Sequence, residues 1–253
     1  KTRIRTVCDA LPNVAEQVII FIKDTDGEIA EVASSVLYNG MVAPLAPFAF
    51  RGILWYQGES NRNAATRYRA LLEGLYAGWS GQFANPDFRL YLVQIAPHNY
   101  VDDVGQLCRL QEAQQAFADA NPNAEIAIIN DVGDLSEIHP HEKHTVGKRL
   151  AAFALANDYG WTHVRPRAPT LKTATVEGSR MTLGFRDAEG LYTYDEAVGF
   201  ELAGADGKWV KAYLVNANGG AKETKPWQTR GEVKGTDLEV AADGVADPVK
   251  VRY

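Results

Sequence analysis

The sequence predicts an α/β domain built on a parallel sheet, followed by an antiparallel β region. Three observations predict it: near-continuous apolar runs, helical spacing of apolar residues between those runs, and a change of rhythm after a proline-rich stretch. Runs dominated by Val, Ile, Leu and aromatic residues suit strands covered on both faces of a parallel sheet. Strands alternating with helices imply right-handed crossovers, and in such sheets chemistry gathers beyond the carboxyl ends of the strands.

Taken in order, the expected buried strands are 17–23 (QVIIFIK), 50–56 (FRGILWY), 88–94 (FRLYLVQ) and 125–130 (EIAIIN). Helical spacing covers 66–80, with Tyr68, Leu71, Leu72, Leu75, Tyr76 and Trp79 three and four apart. It returns over 107–120 with Leu107, Leu110, Gln114 and Phe117, and over 142–158 with Val146, Leu150, Phe153 and Ala154. Tyr159-Gly160 reads as a helix stop. The boundary falls at 165–169 (RPRAP), dividing 1–165 from 166–253. Beyond it, turn signals recur at 177–179, 187–190, 205–207, 218–220, 234–235 and 243–244. Short alternating stretches such as 180–185, 209–215 and 238–241 lie between them, the signature of an antiparallel β region.

Bulk properties narrow the function. Of the 253 residues, 46% are hydrophobic and 23% charged, as in a folded soluble domain. A net charge of -6 without clustered Lys and Arg argues against nucleic acid as a partner. No apolar run reaches the ~18 residues a membrane helix needs, so no membrane association is expected. Lys1 opens a segment without the apolar core of a signal peptide. Cys8 and Cys108 stand far apart, which offers neither zinc spacing nor a disulfide framework, and two buried thiols are expected.

Three stretches concentrate chemistry. The first, 55–61 (WYQGESN), follows a strand and sets an amide, a glycine and a carboxylate where a parallel sheet opens to solvent. A side-chain amide such as that of Gln57 can donate to a developing oxyanion, and Gly58 lets substrate approach the backbone. The same residues also suit a plain loop whose Ser60 or Asn61 caps the next helix. The second, 131–140 (DVGDLSEIHP), holds His139 before a proline with Glu137 and Asp134 upstream, a base with candidate orienting acids. Those carboxylates also suit a helix N-terminus, and a loop histidine is commonly just solvated. His139, His141 and His144 invite a metal reading, but no further ligand completes a set; no metal and no cofactor is expected. In the third, 34–45, the Asn39-Gly40 pair suits positive φ and a backbone open to a ligand, or an ordinary turn before a helix.

Together these stretches resemble the sialate O-acetylesterase family, within the wider SGNH (GDSL-like) hydrolases. The resemblance rests on LYNGMVAPL (37–45), GILWYQGESN (52–61), RLYLVQIAPHNY (89–100), LCRLQEAQQAFADANPNAEIAI (107–128) and IHPHEKHTVGKRLAAFAL (138–155), in that order. GFELAGADGKW (199–209) extends it into the β region. It implies a flavodoxin-like three-layer α/β/α SGNH hydrolase domain over 1–165, with 166–253 as an antiparallel accessory region. It also implies removal of acetyl groups from sialic acids or other acetylated sugars by a serine nucleophile without metal. By the same resemblance His139 is the general base, and Gln57 and Gly40, with Asn39 beside it, are oxyanion or substrate contacts. Glu59 would orient the site or hold substrate hydroxyls. A secreted, periplasmic or lysosome-like location follows from the family's extracellular glycan substrates.

Two departures stand out. The GQSN-type nucleophile motif is absent, residues 1–30 match nothing in the family, and members usually continue past the VRY that ends at Tyr253. The serine is therefore expected on a companion N-terminal chain, removed by processing, or lost. The position three residues before His139, an aspartate in SGNH enzymes, is Ser136. Glu137 and Asp134 are then the candidate acids, with Glu137 preferred. Ser60 lacks a nucleophile elbow and is a poor substitute. The competing expectation is a non-catalytic carbohydrate-binding or assembly subunit using Trp55, Tyr56, Trp161 or Trp209.

Overall fold

The computed structural model describes residues 38–101, 103–189, 191, 199–215 and 237–253 in full, and the backbone alone of 5–7, 17–23, 29–32, 192–194 and 230–232. Cys8, the start of the 34–45 stretch and the turn signals at 218–220 and 234–235 lie outside the described residues. Contacts divide the chain into Lys1–Gly160 and Trp161–Tyr253.

The first unit opens with β1 (Arg5–Val7), β2 (Gln17–Lys23) and β3 (Ile29–Val32), an antiparallel sheet in the order β1-β2-β3. The strand at 17–23 thus forms where the apolar run lies, but not in the parallel sheet expected for it. Only five residues separate Lys23 from Ile29. That suffices for a hairpin, whereas a parallel crossover needs a dozen or more.

The parallel sheet consists of β4 (Gly52–Trp55), β5 (Arg89–Val93) and β6 (Ala124–Ala127), in the order β4-β5-β6. Its crossovers carry α1 (Ala65–Gln82) and α2 (Gln106–Ala120), and α3 (Lys143–Asn157) follows β6. Alternation along β5 sends side chains to opposite faces. Leu90 and Leu92 pack with Tyr68 and Leu72 of α1 and with Leu110 and Phe117 of α2. Tyr91 and Val93 pack with Val146, Leu150 and Phe153 of α3. At the edge of the sheet among the described residues, β4 alternates instead: Ile53 and Trp55 are half-buried, and Leu54 is 62% exposed. Leu71, placed on the apolar stripe by spacing, faces solvent, and Cys108 is exposed rather than buried.

Helix starts follow local chemistry. Asp103 accepts from the backbone N–H groups of Gly105 at 2.7 Å and Leu107 at 3.0 Å, satisfying donors at the start of α2. Glu142 caps α3 through the N–H of Thr145 at 3.0 Å. Gly160 closes that segment at φ +70°.

The second unit is antiparallel. Its strands are β7 (Thr170–Glu177), β8 (Arg180–Arg186), β9 (Tyr192–Tyr194), β10 (Glu201–Ala203), β11 (Trp209–Lys211), β12 (Tyr213–Leu214), β13 (Arg230–Glu232), β14 (Asp237–Ala241) and β15 (Lys250–Arg252). They form β12-β14-β8-β7, β11-β10-β15 and a β13-β9 pair. Met181, Leu183, Leu238 and Val240 share one core with Leu202, Val210 and Val251. The stretch expected as one strand at 209–215 splits at Ala212, its halves joining different sheets. Among the described residues, no helix is long and apolar enough to cross a membrane.

One side chain locks α2 to the sheet. Gln114 is fully buried; its Oε1 accepts from the Ile95 N–H at 3.0 Å, and its Nε2 donates to Val93 O at 3.2 Å and Gln57 O at 3.3 Å. Gln114→Leu removes all three bonds, stranding the buried Ile95 N–H and leaving Gln57 O to Tyr68 alone, and should lower the unfolding free energy in urea by roughly 3 kcal/mol, since a buried orphan costs about 1–3 kcal/mol. A second prediction concerns pH. Arg149 holds both oxygens of Asp131, at 2.7 and 2.6 Å, and hydrogen bonding from that guanidinium lowers the Asp131 carboxyl from its ordinary 3.8. The folded state therefore favours the ionised form. This contribution is complete at neutral pH and is lost as pH falls below about 4 through the depressed value. Asp131→Asn should flatten the acid side of a stability-versus-pH profile and leave the alkaline side unchanged.

Candidate active site

Three loops leave the carboxyl ends of the parallel strands, and contacts knit them together. The first runs from Tyr56 into a 3-10 turn, Glu59–Ala64. Gly58 sits at φ +151°, and a Cβ there would meet Ile95 Cγ2 at 2.8 Å and Leu110 Cδ2 at 3.1 Å. The glycine serves packing between loop, strand end and helix, rather than the open substrate approach expected of it.

Arg62 of the first loop pairs with Asp103 at 3.0 Å and lies 3.4 Å from the ring centroid of Tyr100, tying it to the loop after β5. That second loop meets the third, after β6, through the Asn99 N–H on Leu135 O at 2.9 Å. Gly133 lies so close to Pro97 that an added Cβ would fall 2.4 Å from its Cδ. Lys143, at the start of α3, places its Nζ 4.8 Å over the Tyr56 ring.

Gln57 is the best-held side chain of the first loop. Tyr68 Oη lies 2.8 Å from both Gln57 O and Gln57 Oε1, and it accepts from Trp55 Nε1 at 3.4 Å. Gln57 Nε2 donates to Asn61 Oδ1 at 2.7 Å. Burial pushes the Tyr68 phenol up to about 12, with a smaller upward push from the Glu59 charge. Burial first and Glu59 second also raise Tyr56. Tyr100 is raised mainly by burial, and Glu59 adds to it against Arg62. The Glu59 charge thus adds to the rise of all three tyrosines, and Glu59 makes no hydrogen bond among the described residues.

His139 projects from the third loop beside a buried Pro140. Its side chain is 87% exposed, with Nδ1 3.5 Å from Glu137 Oε1, and the same oxygen accepts from the His139 N–H at 2.8 Å. That backbone donor holds the Glu137 carboxyl below its usual range. The Asp134 carboxylate is instead engaged by Ser136, whose Oγ and N–H donate to Oδ1 at 2.6 and 2.8 Å; those bonds lower its pKa. Glu137, and not Asp134, is therefore the carboxylate brought to the imidazole. No serine hydroxyl bonds to His139 among the described residues.

Asn39 and Gly40 lie in a wide helical turn, Tyr38–Val42, and are exposed. Gly40 does not take the positive φ that the Asn-Gly pair suggests, because a continuing helical turn needs ordinary right-handed backbone. Neither residue bonds to the Gln57 cluster among the described residues. His141 and His144 are exposed at the start of α3, and no group of three or more His, Cys, Asp or Glu gathers at metal-binding spacing among the described residues.

Sequence reading missed Gln114, Tyr68 and Arg62. Spacing gave the first two to apolar helix faces. The available signal was a glutamine on an otherwise apolar stripe of α2, where burial obliges an amide to find partners.

Comparison with known proteins agrees with the motifs. The family described as carbohydrate esterase, sialic acid-specific acetylesterase, matches residues 25–156. The sialate O-acetylesterase of Rattus norvegicus is 30% identical over 156 residues, covering 54% of this chain and 29% of the relative. That of Homo sapiens is 32% identical over 144 residues, covering 50% of this chain and 28% of the relative. The chain thus spans less than a third of the length of these relatives. A crystal structure of a carbohydrate acetylesterase from Xanthomonas citri aligns with TM-score 0.73 and 31% identity over 88% of this chain and 49% of its own. With more than half its residues inside the family match, and the loops of that match meeting at one end of a parallel sheet, the chain belongs to the sialic acid-specific acetylesterase family of carbohydrate esterases.

Proposed function

We propose that this chain supplies the base and the oxyanion-facing loop of a carbohydrate O-acetylesterase, and that a segment outside these 253 residues brings the serine nucleophile. The observation that carries the reading is the Gln57 amide, fixed at both ends at the rim of the same sheet that projects His139. The domain is then a flavodoxin-like three-layer hydrolase, working in a secreted, periplasmic or lysosome-like compartment. Family membership and the likeness to a carbohydrate acetylesterase support an acetylated sugar as substrate.

The chemistry is acyl transfer. The serine oxygen attacks the acetyl carbonyl carbon while its proton passes to His139 Nε2. Glu137, beside Nδ1, stabilises the imidazolium that forms. The tetrahedral oxyanion accepts a hydrogen bond from Gln57 Nε2, a type of contact worth about 3 kcal/mol in the transition state. Collapse breaks the bond to the sugar oxygen, which takes the proton from His139. Water then repeats the relay on the acetyl-enzyme and releases acetate. Glu59 would hold a substrate hydroxyl beside this centre, and Asn39 and Gly40 would contact the substrate from their turn.

The test uses the whole protein with its nucleophile segment, assayed on an acetylated sugar and on p-nitrophenyl acetate. His139→Ala should reduce kcat/KM by on the order of 10²–10⁴, and Glu137→Gln by roughly tenfold. A fluorophosphonate probe should label a serine outside this chain. Near-full turnover by His139→Ala would sink the assignment.

A further inference from the structure

We propose that Tyr68 and Asn61 are positioning residues that fix the Gln57 side-chain amide in one of its two orientations, carbonyl oxygen inward and one N–H turned toward the reacting centre. The inference rests on the acetylesterase reading above and deepens it.

A primary amide can turn over about its terminal bond, and the two faces differ completely: one end only accepts, the other only donates. An amide that has flipped offers its carbonyl to an oxyanion, and repulsion replaces stabilisation. The hydrogen bonds around Gln57 favour one arrangement. Tyr68 has a single phenolic proton and two acceptors at 2.8 Å, the backbone and side-chain oxygens of Gln57. The backbone oxygen also receives Gln114 Nε2 at 3.3 Å and so needs the phenolic proton less than Oε1 does. Trp55 Nε1 donates into the phenolic oxygen from 3.4 Å and so directs that proton away from itself, toward Gln57. At the other end of the amide, Asn61 Oδ1 takes one N–H at 2.7 Å. The second N–H has no acceptor among the described residues.

The device holds across the working pH range. Tyr68 is 2% exposed, and burial keeps its phenol protonated up to about 12, so it remains a donor. Asn61 has no charge to lose and sits only four residues from Gln57, in the 3-10 turn that follows it. Preorganised donors act in catalysis because their orientation is set before charge develops, and that is what two anchors on one amide achieve.

The rival account is that Tyr68 is a core residue whose hydroxyl is merely satisfied. A double-mutant cycle on the full-length enzyme separates the two, with kcat and KM measured for p-nitrophenyl acetate and the urea midpoint recorded for each variant. Tyr68→Phe should lower kcat about tenfold with KM within about twofold, and should cause no further loss in a Gln57→Ala background. Asn61→Ala, at a half-buried position, should behave in the same way and carries the test if Tyr68→Phe does not fold. Equal kcat losses with and without Gln57, or an effect on KM alone, would overturn the proposal. If Gln57→Ala leaves kcat intact while His139→Ala abolishes it, this inference fails and the esterase reading stands. If neither variant changes kcat, the esterase reading fails as well.

Discussion

A primary amide sealed inside an apolar core leaves the chain little freedom, because each of its polar atoms must find a partner or cost free energy. Gln114 meets that demand with backbone groups from two strand ends: Ile95 and Val93 beyond and within β5, and Gln57 just past β4. Fixing those three groups sets the height of α2 on the sheet and the point where the first loop departs. Gly58 is then pressed between Ile95 and Leu110, where only a residue without a side chain fits. The orientation of the Gln57 side chain follows from that placement.

Around this frame the charges are arranged unevenly. The Glu59 carboxylate raises three tyrosines and is left without a hydrogen bond among the described residues, whereas Asp103, Asp131, Asp134 and Glu142 are each committed to a nearby backbone or guanidinium donor. Carboxylates that cap and clamp are stabilising features of loops.

Much of this was legible in the residues. The three helices and the strands of the parallel sheet follow the apolar spacing closely, since period and length decide such segments. The run at 17–23 misled because an apolar strand looks alike in either sheet type, and the short link to β3 was the discriminating feature. At the site, polar residues clustered after a strand marked the 55–61 and 131–140 loops. Their partners were hidden, because Tyr68 and Gln114 lie on helices where spacing assigns them to the core. Position along the sequence cannot tell a buried tyrosine that only packs from one whose hydroxyl reaches a loop eleven residues upstream.

Asp103 carries two duties at once. It opens α2 by taking the N–H groups of Gly105 and Leu107, and it grips Arg62 across the gap between two loops. The guanidinium it holds also covers the face of Tyr100. Displacing the loop after β5 would therefore have to uncap a helix and part an ion pair together. The rim on that side resists bending.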